Sequence, residues 1–179
     1  KEIITENGYK TFRDRYAAAE WGEKYSFKYA KEQNKNPDVE KAMMDYVWNG
    51  ETSDAIRKGK PLSKESQKTV DVIDKYIANA PKIPEDVMLY RGMYFHEGSS
   101  SPINKALTEN PQSLVGKTIK DPAFSSTSLE RRVASKYTSS RGLGVGEEVG
   151  KQVHSVVFEV EAKKGSTGTY ISRSSEGLP

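Results

Sequence analysis

The sequence contains no cysteine and only two histidines, and these gaps exclude several kinds of chemistry. Without cysteine there are no disulfides, no thiolate nucleophile and no cysteine-ligated zinc. His96 and His154 lie far apart in the chain and lack the spacing of a metal site, so we expect no bound metal. No run approaches the roughly 20 apolar residues that span a bilayer, so we also expect no membrane span.

The sequence also lacks clusters of like charge. The 28 Lys and Arg residues exceed the 25 Asp and Glu residues by three, and the two kinds alternate in stretches such as Arg13-Asp14-Arg15. A nucleic-acid binder usually gathers its positive charge on one face. This pattern indicates a solvated surface and no nucleic-acid partner; the alternative, DNA binding, would weaken steeply with salt.

The chain changes character near residue 86. Up to residue 85 the pattern is helical, and Trp21, Tyr25 and Tyr29 are spaced four apart on one helical face. From residue 86 to 179 apolar residues alternate instead, most regularly over Val153 to Glu161. Helices followed by strands predict an α+β fold, and 179 residues suffice for a single domain. Because the chain starts at Lys1 rather than Met, we expect it to be a piece of a longer protein.

One residue breaks the predicted strand pattern after residue 86. Arg91, in Leu89-Tyr90-Arg91-Gly92, stands where an apolar residue is expected. An arginine in such a strand costs desolvation unless an anion meets it, and its planar fork suits phosphate or carboxylate. Two interpretations stay open: an anion-binding arginine, or one paired with a nearby acid or placed at an exposed strand edge.

A hydroxyl-rich segment, Phe124-Ser125-Ser126-Thr127-Ser128, precedes a predicted helix. Such a segment is usually a capping device, and Ser128 is well placed to cap the helix that Leu129 and Glu130 open. By itself the segment therefore favours a structural role over a catalytic one.

The order of the motifs along the chain is more specific than any one of them. From about Met43 to the end, the chain resembles the mono-ADP-ribosyltransferase exoenzyme toxins. The resemblance implies an α+β fold in which N-terminal helices pack on a core of two small, mainly antiparallel β-sheets. The motifs that carry it are the Tyr46 to Arg57 segment, Tyr90-Arg91-Gly92, Leu114 to Ile119, Phe124 to Ser128, Lys164-Gly165 and Gly168-Thr169-Tyr170-Ile171.

The resemblance implies a role for each residue of the Tyr-Arg-Gly motif. Arg91 matches the family's arginine that holds the phosphates of NAD, and Tyr90 precedes it in the same binding motif. Gly92 matches the backbone that hydrogen-bonds the nicotinamide amide. Ser126 matches the serine that supports the catalytic glutamate and shapes the nicotinamide pocket, with Thr127 beside it.

Four further residues enter the expected NAD site through the same resemblance. Ser128 and Phe124 belong to the Phe-x-Ser-Thr-Ser motif that matches the family. Tyr137 falls where many relatives carry an aromatic residue near nicotinamide. Arg141 falls where some relatives carry a second phosphate contact.

The function that the resemblance implies is an NAD-dependent protein ADP-ribosyltransferase, which is a glycosyltransferase with NAD as its substrate. Such an enzyme breaks the nicotinamide–ribose bond and transfers ADP-ribose to a side chain of a target protein, with NAD hydrolysis as a side activity. Small GTPases and actin are targets in the family. The resemblance further implies a toxin or virulence effector that is secreted or delivered into a host cell, and no metal.

The sequence departs from the family pattern at one place. Relatives carry a Glu/Gln-x-Glu motif shortly after the segment matched here by Tyr170-Ile171-Ser172, and its second glutamate is essential. This chain ends at Pro179, and Glu176 has no Glu or Gln two residues before it. We therefore expect the chain to be incomplete at its C-terminus and inactive as given.

Two other functions compete with this interpretation. One is a non-catalytic member of the family that uses the same surface to bind a protein partner. The other is a nucleotide-binding oxidoreductase, suggested by the glycines at Gly142, Gly144 and Gly146. The dinucleotide fingerprint has a different spacing and joins a strand to a helix, whereas this run follows a predicted helix, so the oxidoreductase is disfavoured.

Overall fold

A computed structural model describes residues 3–33, 36–48, 50–96, 101–139 and 152–171. Its helices and strands confirm the α+β class. Within these ranges, six α-helices and four β-strands follow one another: β1 (Ile3–Glu6), β2 (Tyr9–Phe12), α1 (Arg15–Gln33), α2 (Pro37–Trp48), α3 (Gly50–Arg57), α4 (Lys64–Asn79), β3 (Val87–His96), α5 (Pro102–Glu109), α6 (Arg131–Ser135) and β4 (Gln152–Ala162). Short 3₁₀ turns cover Pro111–Leu114 and Lys136–Thr138.

The strands form one mixed sheet with the order β1-β2-β3-β4. β1 and β2 pair antiparallel, with Ile3 opposite Phe12, and β2 runs parallel to β3 where Lys10 meets Val87. Two small, mainly antiparallel sheets were expected, and within the ranges that the structure describes there is this single sheet of four strands.

The N-terminal hairpin corrects the expectation that the first 80 residues are helical. Asn7 and Gly8 connect β1 to β2, and their φ angles are 51° and 85°. Positive φ at both central residues is typical of the tight turns that close two-residue hairpins, and Asn-Gly favours them strongly. The signal was present in the sequence, but it lies next to only four residues of strand on each side.

Two further segments differ from their predicted structure. The apolar residues from Leu114 to Ile119 predict an extended piece, but the 3₁₀ turn ends at Leu114 and Gly116 has a φ of 71°. The sequence after Lys164-Gly165 predicts a strand around Thr169 to Ser172, but no strand is assigned to residues 169–171. The Gly142 to Gly146 run lies outside the described residues.

The chain divides into two compact units. The first comprises Lys1–Val87, Asp121–Ser125 and Ala162–Pro179, and the second comprises Met88–Lys120 and Ser126–Glu161. β3 passes from the first unit into the second after Val87. None of the helices in the described ranges is long and apolar enough to cross a membrane.

In the first unit, α2 and α4 enclose a cluster of buried residues. Ala42, Tyr46 and Ile73 form its centre. α4 begins after Ser63, whose hydroxyl accepts a hydrogen bond from the backbone N–H of Ser66, the usual role of a serine at this position. The cap satisfies one of the orphan donors at the start of the helix, so α4 begins at a defined residue.

The aromatic stripe of α1 is half-buried and makes polar as well as apolar contacts. Trp21 Nε1 donates a hydrogen bond to Glu85, the Tyr25 hydroxyl to the Gly168 carbonyl, and the Tyr29 hydroxyl to the Tyr76 carbonyl. Burial raises the pKa of Tyr25 to about 12, so its hydroxyl stays protonated and donates at neutral pH. The stripe predicted from the sequence is therefore a core stripe in which each ring also satisfies its polar atom.

Gly22 lets α1 approach the segment before residue 171. A Cβ at this position would lie 2.6 Å from Cε2 of the Tyr170 ring and closer still to its Cγ and Cδ2. Glycine inside a helix costs about 0.5–1 kcal/mol relative to alanine, so this close packing accounts for its presence.

Gly22→Ala is expected to lower the free energy of unfolding by about 1–3 kcal/mol, because the methyl group overlaps the Tyr170 ring. Urea denaturation measures the change. Gly50→Ala in α3 is the matched control, since a Cβ there meets nothing within 4 Å; its effect should stay within about 1 kcal/mol. Equal losses for the two variants would contradict the packing account.

Candidate functional site

Tyr90 and Ser128 fix the centre of the second unit. The Tyr90 N–H donates to the Ser128 carbonyl at 2.8 Å, and the Ser128 N–H donates back to the Tyr90 carbonyl at 2.7 Å. The two residues form an antiparallel bridge, and the Tyr90 side chain is buried. This bridge joins two of the sequence motifs, because Tyr90 precedes Arg91 and Ser128 ends the Ser-Thr-Ser segment.

Arg91 lies next to the bridge on β3. Its Nη1 donates a hydrogen bond to the carbonyl oxygen of Ser126 at 3.2 Å. A guanidinium carries five N–H donors in a fixed plane, so one arginine can bind a carbonyl and an anion at the same time. The half-buried Arg91 is therefore held by the backbone of the Ser-Thr-Ser segment, an arrangement that neither interpretation of the sequence anticipated.

Gly92 lets α6 pack directly against β3. A Cβ at residue 92 would overlap the carbonyl oxygen of Ala134 and would lie 3.1 Å from the Cβ of Tyr137. The missing side chain brings the end of α6 and the aromatic Tyr137 beside the Tyr-Arg-Gly motif. Tyr137 sits in the 3₁₀ turn after α6, and it remains 41% exposed.

The Ser-Thr-Ser segment combines exposed and structural hydroxyls. Ser126 and Thr127 are exposed, whereas Ser128 is half-buried. The Ser128 hydroxyl accepts a hydrogen bond from the Glu130 N–H at 3.1 Å, just before α6 begins at Arg131. The prediction that Ser128 caps this helix is wrong, because α6 begins at Arg131 and its N-cap residue, Glu130, has no side-chain capping bond. The Ser128 hydroxyl instead closes a short turn ahead of the helix, while the side chains of Ser126 and Thr127 face solvent.

Two of the residues that the resemblance assigned are not in this group. Phe124 belongs to the first unit, where its ring meets Tyr46 edge-on at 5.2 Å and its carbonyl accepts a hydrogen bond from the Tyr46 hydroxyl. Arg141 lies outside the described residues. Seven of the nine assigned residues therefore lie within the described part of the second unit: Tyr90, Arg91, Gly92, Ser126, Thr127, Ser128 and Tyr137.

The sequence reasoning missed Glu130 and Ala134. Ala134 is buried against Gly92, and a small residue inside an amphipathic helix was the only signal for it. Glu130 is 6% exposed, and its Oε2 has no hydrogen-bond partner, while Oε1 lies 3.3 Å from Nε of Arg132. No pattern in the sequence distinguishes this buried carboxylate from an exposed one.

The sequence contains one Glu-x-Glu, formed by Glu159-Val160-Glu161. It lies on β4, where Glu159 forms an ion pair of 3.3 Å with Arg131 of α6. Among the described residues, no group of three or more acidic or histidine side chains is placed to hold a metal ion.

Gly92→Ala is expected to lower the free energy of unfolding by at least about 2 kcal/mol, because the new methyl group overlaps backbone atoms of Ala134 that cannot rotate away. Chemical denaturation followed by circular dichroism measures this loss. Ser135→Ala on the exposed side of α6 is the control and should change stability by less than about 0.5 kcal/mol. A Gly92→Ala variant as stable as this control would show that α6 does not rest on β3.

One family comparison bears on this group of residues. The model of the ADP-ribosyltransferase exoenzyme family matches residues 18–178, which is most of the chain and includes every assigned site residue. No curated protein and no solved structure matches the chain. The family has ADP-ribosyltransferase activity, uses NAD as its substrate and acts on proteins as a toxin. Because the match covers far more than half of its length, the chain belongs to the ADP-ribosyltransferase exoenzyme family.

Proposed function

We propose that this protein binds NAD in the second unit and transfers ADP-ribose from it to a side chain of a target protein. The observation that carries the proposal is the grouping of Arg91, Ser126 and Tyr137 around the bridge between Tyr90 and Ser128. The family match over residues 18–178 supports it and also supports treating the two units as one ADP-ribosyltransferase domain.

The side chains of this group fit a dinucleotide in their chemistry. Arg91 supplies a planar guanidinium for phosphate oxygens, which are its best anionic partners. Ser126 and Thr127 supply exposed hydroxyls, and Tyr137 supplies an exposed aromatic ring. Glu130, which follows the Ser-Thr-Ser segment, is buried, so its carboxylate is not exposed where it would repel the phosphates of NAD.

We assign the roles from the family resemblance, and the positions of these groups support them. Arg91 binds the diphosphate, and its bond to the Ser126 carbonyl holds the guanidinium toward the Ser-Thr-Ser segment. Backbone groups of Gly92 bind the nicotinamide amide, and the Tyr137 ring beside Gly92 covers the nicotinamide ring. Ser126 orients the carboxylate that stabilises the reacting ribose, as the resemblance implies. Phe124 and Arg141 stay predicted members of the site.

Transfer breaks the bond between nicotinamide and ribose, the electron pair leaves with nicotinamide, and the ribose bonds to a nucleophilic side chain that gives up its proton. Positive charge that builds on the ribose needs a carboxylate nearby, as in glycoside hydrolysis. The single Glu-x-Glu within residues 1–179 is on β4 and is engaged with Arg131. We therefore expect a polypeptide limited to these residues to bind NAD without cleaving it, and without the hydrolytic side activity.

The setting of this activity is also part of the proposal. Membership of an exoenzyme toxin family supports secretion or delivery into a host cell, where the protein acts as a virulence effector on a target such as a small GTPase or actin. No metal is needed for the transfer, because the charge that develops is positive and is met by a carboxylate.

Arg91→Lys is expected to raise the dissociation constant for NAD about 10- to 100-fold, because lysine keeps the charge but loses the two parallel N–H donors of the guanidinium. Isothermal titration calorimetry of residues 1–179 measures the constant. Arg13→Lys is the matched control, since Arg13 lies in the first unit with 60% of its side chain exposed. The control should bind NAD like the unmodified chain.

Equal NAD affinity for the Arg91→Lys variant and the control would remove Arg91 from the site. Absence of NAD binding by the unmodified chain would instead favour the second candidate, a non-catalytic module that binds a protein partner. That candidate is kept because no Glu/Gln-x-Glu follows Tyr170 within residues 1–179.

A further inference from the structure

The segment that leads into Ser126 has no helix or strand of its own. Residues 121–127 carry no assigned element, and the first regular backbone pairing is the bridge at Ser128. Ordering the backbone of one residue costs about 1–2 kcal/mol of conformational entropy. A segment without a hydrogen-bond ladder must recover that cost through side-chain contacts, and in the first unit these contacts are concentrated at Asp121 and Phe124.

The Asp121 carboxylate accepts hydrogen bonds from α3 and from its own segment. Arg57, the last residue of α3, donates two of them, from Nε to Oδ1 at 3.0 Å and from Nη2 to Oδ2 at 3.2 Å. The Ala123 N–H donates to Oδ1 at 3.2 Å, and the Ser125 hydroxyl donates to Oδ2 at 3.1 Å. The Asp121 carboxylate thus bonds both to α3 and to other residues of its own Asp121–Ser125 segment.

The burial of this pair distinguishes it from the neighbouring ion pair on the same helix. The Arg57 and Asp121 side chains are 33% and 29% exposed, whereas Lys58 and Asp54 on the same helix are 57% and 60% exposed. Burial alone would raise the pKa of the Asp121 carboxyl, but the bonds from Arg57 and from the Ala123 N–H outweigh it and hold the pKa below its usual value. The carboxylate is therefore charged at neutral pH.

α2 holds the same stretch at a second point. The Tyr46 hydroxyl donates to the Phe124 carbonyl at 3.2 Å, and the two rings meet edge-on. Ser126 follows Phe124 by two residues, and its own carbonyl accepts the bond from Arg91. The chain that presents Ser126 is thus fixed just before it by Asp121 and Tyr46, and at Ser126 itself by Arg91.

We propose that Arg57 and Asp121 are positioning residues for the Ser126-Thr127-Ser128 segment, which they hold in the conformation that binds NAD. The inference rests on the proposed function, because it concerns the same site. Neither side chain needs to touch the dinucleotide: Arg57 acts through Asp121, and Asp121 acts through the backbone that runs into Ser126.

The test is a double-mutant cycle on residues 1–179 with Arg57→Lys, Asp121→Asn and the double variant. The dissociation constant for NAD is measured by calorimetry, and amide hydrogen exchange at residues 126–128 is measured without NAD. Each single variant is expected to weaken NAD binding roughly tenfold and to speed exchange at these amides, since small misplacements of binding groups have effects of this size or larger. The double variant should be no worse than either single one.

Two further variants complete the design, one on α3 as a control and one at Tyr46, where α2 contacts Phe124. Asp54→Asn removes the exposed pair with Lys58 and should change neither measurement. Tyr46→Phe keeps the ring contact but removes the bond to the Phe124 carbonyl, and it should speed exchange at the same amides while the far-UV spectrum stays unchanged.

Each outcome distinguishes this inference from the proposed function. If Arg57→Lys weakens NAD binding while Asp121→Asn does not, Arg57 contacts the ligand itself and the positioning role is wrong. Unchanged exchange at residues 126–128 in both single variants would also overturn it. If the unmodified chain fails to bind NAD but the variants still speed exchange at these amides, the proposed function fails and the positioning of the segment stands.

Discussion

Two backbone hydrogen bonds between Tyr90 and Ser128 organise the second unit, because they join segments that are 38 residues apart in the sequence. Without this bridge, Arg91 would have no fixed relation to the Ser126 carbonyl that it binds. Next to the bridge, the Ser128 hydroxyl accepts a hydrogen bond from the N–H of Glu130 in the turn that precedes α6. From α6, Ala134 reaches Gly92, and Tyr137 lies at the same place.

Glycine serves two purposes in this protein, close packing and turn formation. At Gly22 and Gly92 the missing Cβ makes room for a neighbouring ring or carbonyl, whereas at Gly8 it permits a positive φ in a turn. A protein interior is packed as densely as an organic crystal, so close approach is available only where a side chain is absent. Both packing glycines lie next to residues that the family motifs contain, Tyr170 and Arg91.

The α+β class and most helices could be predicted from the sequence because each left a local signal. The site residues came from the resemblance to the family, and their roles stay predictions. Proline at the start of α2, Ser63 before α4 and the alternation around Val87 to Phe95 each identify an element by its own chemistry. The N-terminal hairpin was missed because four-residue strands carry too little periodicity to outweigh the helical pattern after them. The buried Glu130 and the partners of Asp121 depend on tertiary contacts, which periodicity does not report.

The central claim is that NAD binds around the Tyr90–Ser128 bridge, and two-dimensional NMR of the isotopically labelled chain titrated with NAD tests it most directly. The account predicts that the largest shifts of backbone amides occur at residues 90–92 and 126–128 and in the turn that holds Tyr137, with α2 and α4 little affected. Shifts confined to the first unit, or no shifts at about 1 mM NAD, the upper end of the usual range for enzyme substrates, would contradict it.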